Sequence, residues 1–370
     1  MRYDRRTSLM ILSALPGLGP VRIGRLDQAM GGRVERLLDM SLSEREHWCR
    51  PNLNQELNRW PTHFDPGKVL PELERMGADF VTFEEEDYPA RLRNCADRPV
   101  GLYRYLAGRQ VPERSIAIVG TRRPSSYGRK VARDFATTLS KRGFCVVSGL
   151  AEGIDTEAHR AALREQGGTL AVLGGGLNRC YPASNRGLLE LIRESAGVWS
   201  EFPLWRRADR RSFPQRNRIV SGISEAVVVI ESGPTGGSLI TARMASEQGK
   251  PVYVVPGRID SPESTGCHAL IRDGAQLVTC VEDILDDLSY LPGALLRAVS
   301  DRKAPCPRAE PELEGTSQQI WNFIGRESAA HVDRIANGIG ASAAEVSRCL
   351  QEMEVDGLLC RRLDGCFERA

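Results

Sequence analysis

Between Ser115 and Gly257 one pattern recurs six times: a short apolar run, a turn rich in glycine and small polar residues, and an intervening segment, most often an amphipathic helix. The runs are SIAIVG (115–120), FCVVSG (144–149), TLAVLGGG (169–176), GVWSEF (197–202), AVVVIES (226–232) and PVYVVPG (251–257). Apolar runs this short suit strands buried on both faces. Helices read over Ser125–Lys141, Thr156–Gln166 and 237–249. Strands alternating with helices leave little choice of architecture: an α/β fold with a parallel, doubly wound, extended Rossmann-like sheet. Such sheets take ligands at the carboxyl ends of their strands, and those loops here carry Gly, Ser, Thr, Arg and Asp.

The flanks read differently. Residues 1–66 are short helices, and SLMILSALPGLGPVRIGRLDQAM sets a Pro-Gly-Leu-Gly turn between two amphipathic stretches. This is the shape of a SAM-like or helix-hairpin-helix domain, in which Gly17 and Gly19 allow a tight turn whose N–H groups can meet a phosphate; a plain helical hairpin packed on the main domain fits equally. Residues 67–290 hold the Rossmann-like core, preceded by a strand near Phe80–Phe83 and an extended segment at 102–106. Four prolines and mixed charge make 291–315 a linker. Within 316–370, three short helical patterns precede a hairpin signal at Asp364-Gly365, together a winged helix. Its second motif helix, Ser342–Val355, carries Glu345, Glu352 and Glu354 beside Arg348, which favours a protein contact or dimerisation over groove binding.

Charge narrows the function. The chain has 50 basic and 48 acidic residues, a formal net charge of +2, so any nucleic-acid site must be a local patch. One such patch stands out, WRRADRRSFPQRNRIVSG (205–222), with six arginines against Asp209 and two aromatics, Trp205 and Phe213. Guanidiniums grip phosphates bidentately and aromatic faces stack bases; a solvated basic loop is the simpler alternative. Ten cysteines stand singly with no CxxC pair, as in a reducing, cytoplasmic protein. The N-terminal apolar stretch is too broken for a signal peptide, and no run approaches the roughly 18 residues of a membrane span.

Nucleotide-binding signatures are missing: no GxGxxG opens the first helix and no GxxxxGK[ST] occurs. Gly174-Gly175-Gly176 reads as a turn requirement. Asp155 and His159 read as a helix cap and a structural histidine. Ser148 lies outside any GxSxG elbow, and its use is as a hydroxyl and N–H donor to a phosphate.

VGTRRPSSYG, SGLAEGIDTEAHRAAL, GGTLAVLGGGLNRCYPASN, SEFP, FPQRNRIVSGIS, GGSLITARMASEQGKPVYVVPG and GCHALIRDGAQLV follow one another as in the DNA-processing protein A family (DprA, also called Smf), which the chain resembles from about Tyr88 to Leu285. The resemblance implies a non-enzymatic binder of single-stranded DNA that needs no cofactor. Such proteins protect incoming strands in natural transformation, load the RecA recombinase onto them, and dimerise through the Rossmann-like domain. It also implies DNA contacts from Arg122, from the loop at Ser148 and Gly149, from Phe213, Arg216, Asn217 and Arg218, and from Gly237 and Ser238. One departure is Thr235-Gly236-Gly237-Ser238, where the family usually has a basic residue and Ser before GSLITA; the backbone N–H groups of the glycines can serve there in place of the lost side chain.

Two other functions compete. GPTGGSLITA faintly resembles the glycine loop of Rossmann-type nucleotide phosphoribohydrolases, but no Glu stands in the expected helix position before Glu247. A nucleotide-sensing domain coupled to a winged helix is the other.

Overall fold

The computed structural model describes residues 3–105, 112–194, 197–290, 313–327, 329–355, 358–362 and 365–369. The chain divides into two compact units, Met1–Leu296 and Arg297–Ala370. The expected linker falls almost wholly outside the described residues.

The first unit is built on a nine-stranded sheet. Its strands are β1 (Ala78–Thr82), β2 (Gly101–Tyr105), β3 (Ser115–Gly120), β4 (Cys145–Ser148), β5 (Thr169–Val172), β6 (Gly197–Ser200), β7 (Ala226–Ile230), β8 (Val252–Val254) and β9 (Gln276–Leu277). They lie in the order β1-β2-β6-β5-β4-β3-β7-β8-β9. From β6 to β9 every pairing is parallel; β1 and β2 are antiparallel to each other, and β2 is antiparallel to β6. The expected parallel sheet is therefore present but carries an antiparallel hairpin on one edge. The order runs outward from β3 to β6, then returns to β7 beside β3. This reversal opens a crevice beyond the carboxyl ends of β3 and β7.

Side chains of one strand alternate between the two faces. Ala117 and Val119 join one buried cluster, Ile116 and Ile118 the other. The helices follow in chain order: α1 (Arg5–Ala14), α2 (Pro20–Ala29), α3 (Leu42–Glu46), α4 (Pro51–His63), α5 (Pro66–Met76), α6 (Ala90–Arg93), α7 (Ser126–Lys141), α8 (Ile154–Ala162), α9 (Arg186–Arg193), α10 (Ser212–Ile223), α11 (Gly237–Glu247), α12 (Thr265–Arg272) and α13 (Val281–Tyr290). α10, α11 and α12 cover the first cluster, and α7, α8 and α13 cover the second. Each fully buried aliphatic side chain contributes about 1.5–3 kcal/mol. The N-terminal helices share a third cluster with the sheet: Leu9, Leu12, Leu57 and Val69 pack with Phe80, Tyr103 and Val198.

α8 starts two residues before the expected Thr156, because Gly153, at φ +84, supplies its N-cap and turns the chain in from the loop. A Cβ on Gly153 would lie 2.3 Å from the Thr121 carbonyl oxygen, so only glycine lets the β4–α8 loop approach the β3 end so closely.

In the second unit, α14 (Gly315–Glu327), α15 (Val332–Ile339) and α16 (Ala343–Val355) precede an antiparallel pair, β10 (Leu359–Arg361) and β11 (Phe367–Arg369). Ile320, Ile335, Val346, Leu350 and Phe367 form its core. This is a winged helix. Gly365, at φ +84, makes part of the wing turn; Asp364 lies outside the described residues.

Candidate nucleic-acid interface

Four segments meet at the crevice: the Thr121–Ser125 loop after β3, the Gly149–Gly153 loop after β4, the N-terminal half of α10, and the Glu231–Gly237 loop after β7. The first and last are tied by a hydrogen bond from the Thr121 N–H to the Glu231 carbonyl at 2.7 Å. The Glu231 carboxylate also accepts from the Ser125 N–H at 2.9 Å and from the Ser125 hydroxyl. Ser125 in turn caps α7. Glu231 is buried in left-handed backbone at φ 50, an outlier for a non-glycine residue.

α10 divides its polar residues by direction. The sequence reading placed the FPQRNR arginines on a surface loop; the structure puts them on this helix and inside the protein. Arg216, 5% exposed, donates to the carbonyls of Gly149 and of Val172, the latter at 2.5 Å. Both carbonyls lie at strand ends, where the sheet ladder no longer satisfies them. Burial pushes the Arg216 guanidinium down to about 10, against the favourable charge of Asp155; it stays protonated at neutral pH. Arg218, 6% exposed, donates to Glu201 Oε1 at 2.5 Å and lies 3.7 Å from Asp97. Asn217 donates to the Gly237 carbonyl at 3.3 Å, joining α10 to the start of α11.

The small donors are similarly occupied. The Ser148 hydroxyl, expected to face a phosphate, is buried and donates to the Ile118 carbonyl at 2.7 Å. The Gly149 N–H donates to Asp155 Oδ2 at 3.0 Å, and that oxygen also takes the Ala151 N–H at 3.3 Å. Asp155 thus ties the β4–α8 loop rather than capping the helix, and burial raises its pKa. The Ser238 hydroxyl, also buried, donates to Ser232 at 2.8 Å. Gly237 is exposed at the first turn of α11. His159 is wholly buried with Nδ1 2.7 Å from the Thr169 hydroxyl, which donates to the Val146 carbonyl at 2.6 Å. Burial lowers its pKa to about 3, so it is a neutral structural residue, as its sequence context suggests.

What remains open at the edge is Arg122 and the aromatics. Arg122 is exposed and its guanidinium lies 5.5 Å from the centroid of the half-exposed Phe213 ring. Tyr181, 55% exposed, sits 5.4 Å from the same ring on its other contact. Tyr181 was not singled out from the sequence; inside CYPASN it carries neither charge nor periodicity to mark it. The three glycines 174–176 prove to be seats for neighbours. A Cβ on Gly174 would reach Phe213 at 2.9 Å, and one on Gly176 would strike the Pro203 carbonyl oxygen at 2.0 Å. Arg206, Arg207, Arg210 and Arg211 are exposed beside this cluster. Asp209 is spent on the start of α10, accepting the N–H groups of Arg211 at 2.7 Å and Ser212 at 2.8 Å, which hold its carboxyl below the usual range. Among the described residues no cluster of His, Cys, Asp and Glu suits a metal, and no helix is long and apolar enough to cross a membrane.

Comparison with known proteins follows the same lines. The family described as DNA recombination-mediator protein A matches residues 79–289, and the DprA winged helix domain matches 304–365. Protein Smf of Synechocystis is 32% identical, covering 96% of this chain and 97% of its own. Protein Smf of Escherichia coli is 38% identical over 77% of this chain and 76% of its own. The X-ray structure of DNA processing protein A from Streptococcus pneumoniae superposes with a TM-score of 0.64 at 30% identity, covering 78% of this chain and 99% of that one. DNA processing protein A from Helicobacter pylori, whose structure concerns its single-stranded DNA binding mode, aligns with a TM-score of 0.50 at 30% identity, covering 57% of this chain and 95% of its own. With the profile match spanning more than half of the chain and the Smf proteins aligned along most of their length, the chain belongs to the DNA recombination-mediator protein A family.

Proposed function

We propose that this protein binds single-stranded DNA at the carboxyl edge of its parallel sheet. The observation that carries the reading is the exposed Arg122 guanidinium over Phe213, with Tyr181 against the same ring, at the reversal point of the strand order. A cation beside a partly exposed aromatic ring suits a phosphate next to a stacked base, a contact indifferent to sequence. Gly237, exposed at the start of α11, offers a backbone donor. Ser148, Gly149, Arg216, Arg218 and Ser238 act behind these, holding the loops in place, and Asn217 links α10 to Gly237. The single-stranded DNA binding of the Helicobacter pylori relative supports the assignment.

The protein works by binding alone, without catalysis, and the bound strand is delivered to a RecA recombinase during natural transformation. It acts in the cytoplasm as a homodimer through the Rossmann-like domain, within the division 1–66, 67–290, 291–315 and 316–370. The winged helix serves a protein contact: Arg348 on α16 is engaged by Glu352 at 2.8 Å, leaving Glu345 and Glu354 to set the charge of that helix.

The test is fluorescence anisotropy with labelled oligothymidylate and a duplex of equal length. Tight single-strand binding, weak duplex binding, and a loss of about 5- to 150-fold in Phe213→Ala are expected, the range set by one lost base stack. Equal affinity for duplex, or an unaffected Phe213→Ala, rejects the site.

A further inference from the structure

Trp205 lies outside the edge cluster, yet the structure presents it as deliberately. It occupies the third position of a turn closed by the Arg206 N–H on the Pro203 carbonyl at 2.9 Å. That turn is clamped to the glycine loop: the Asn178 N–H donates to the Leu204 carbonyl at 3.0 Å, and the Gly176 N–H to the Arg206 carbonyl at 2.9 Å. Arg179 Nε donates to the Trp205 carbonyl itself at 3.2 Å. The backbone is thus fixed while the indole stays 43% exposed, an unusual state for the largest apolar side chain. It faces a groove of about 450 Å³ whose far wall comes from the N-terminal helices, at Pro16, Pro61, His63, Phe64 and Lys68.

We infer that this groove is a second single-stranded DNA subsite, continuing the strand from the edge cluster over Trp205 and onto the N-terminal helices. The inference rests on the single-strand reading above. Continuity supports it, since the same glycine loop seats both Phe213 and the Trp205 turn. Charge supports it too. Arg206, Arg179 and Lys68 are exposed along the path and Arg207, Arg210 and Arg211 flank it; of the nearby acids, Asp65 lies 3.8 Å from Lys68, Asp209 3.5 Å from Arg206, Glu56 3.0 Å from His63, and Glu72 accepts from Asn178, so the basic groups remain in excess. An aromatic on a fixed backbone among guanidiniums suits a base and its two phosphates. The occupant is therefore a stretch of single-stranded nucleic acid longer than the edge cluster alone can hold.

Length dependence tests this. The full chain is titrated with oligothymidylates of about 6 and about 20 nucleotides, chosen because single-strand footprints run from about 4 to 16. Trp205→Ala is expected to leave the short-oligomer Kd unchanged and to weaken the long one by about 5- to 150-fold, with Trp205→Phe restoring most of the loss. Lys68→Glu, on an exposed position that folding does not need, is expected to weaken only the long oligomer and to lower its salt slope by about 0.7 or more. If Trp205→Ala binds the long oligomer as the parent does, or loses equally at both lengths, the subsite is refuted while the edge site stands. If the parent binds neither length, the edge site itself falls and the subsite with it.

Discussion

Two arginines separated by about 94 positions give opposite outcomes when removed, and the contrast tests the whole account of the edge. Arg216→Ala strips the donors from the Gly149 and Val172 carbonyls and leaves the buried Asp155 carboxylate without its neighbouring cation. Each orphaned carbonyl costs about 1–3 kcal/mol before the loop relaxes. Because these overlap, a net loss of about 4 kcal/mol is expected, a large part of the roughly 5–15 kcal/mol that holds a domain folded. Arg122→Ala removes only an exposed contact over Phe213, worth about 0.5–1 kcal/mol. Urea unfolding followed by circular dichroism reads the first quantity and oligothymidylate anisotropy the second. Arg216→Ala should unfold at much lower urea. Arg122→Ala should unfold near the parent midpoint yet bind far more weakly. Arg216→Lys should recover only part of the stability, since a compact ammonium is more strongly hydrated than a guanidinium and costs more to bury at this site. The reasoning is refuted if Arg216→Ala keeps the parent's unfolding midpoint while losing binding, for its guanidinium would then be serving DNA and not the strand ends.

His159 sets an acid limit on stability. Its pKa falls from 6.5 unfolded to about 3 folded, so the unfolded chain takes up the proton first between those values. Its stabilising share is complete above pH 6.5 and is lost as pH falls toward 3, at about 1.4 kcal/mol per pH unit; His159→Gln should flatten that slope by one proton in urea titrations run across the window. Gly153→Ala should lose more than about 2 kcal/mol, from a positive φ and a Cβ set 2.3 Å from the Thr121 oxygen; it should also weaken oligothymidylate binding, because the same Cβ presses on the backbone of Arg122.

The sheet was legible because burial on both faces writes itself into composition. SIAIVG and AVVVIES became β3 and β7 nearly residue for residue. TLAVLGGG overran β5 by four residues, since Leu173 stays buried after the ladder has ended. β9, Gln276–Leu277, has two exposed residues and left no periodic trace. The pairing of β1 with β2, and of β2 with β6, depends on contacts that local sequence does not encode. Within the Arg-rich segment, charge alone did not show which side chains are exposed and which are buried. An Arg-rich stretch reads as surface because an isolated guanidinium cannot be buried, yet Asp155, Glu201 and the strand-end carbonyls make two of these arginines interior. Those partners lie 17 to 67 positions away, beyond any local pattern.

That arrangement also bears on where attraction for a phosphate would come from under the proposed function. Arg216 is spent on the Gly149 and Val172 carbonyls, with Asp155 adding a favourable charge nearby, and Arg218 is paired with Glu201 and Asp97. A hydrophobic residue at 216 would fill the space but leave the Gly149 and Val172 carbonyls without donors, which explains an arginine at that position without appeal to a ligand. Among the described residues the charge without an ion pair instead belongs to the exposed Arg122, Arg207, Arg210 and Arg211, while the exposed Arg206 meets Asp209 at 3.5 Å. Being exposed, these are screened over a Debye length of about 8–10 Å near physiological salt. Capture of a strand should therefore weaken steeply with salt, whereas the architecture that aims Arg122 and Phe213 should not, because the Arg218–Glu201 pair and the Arg216 hydrogen bonds lie inside the protein and out of reach of the counterions.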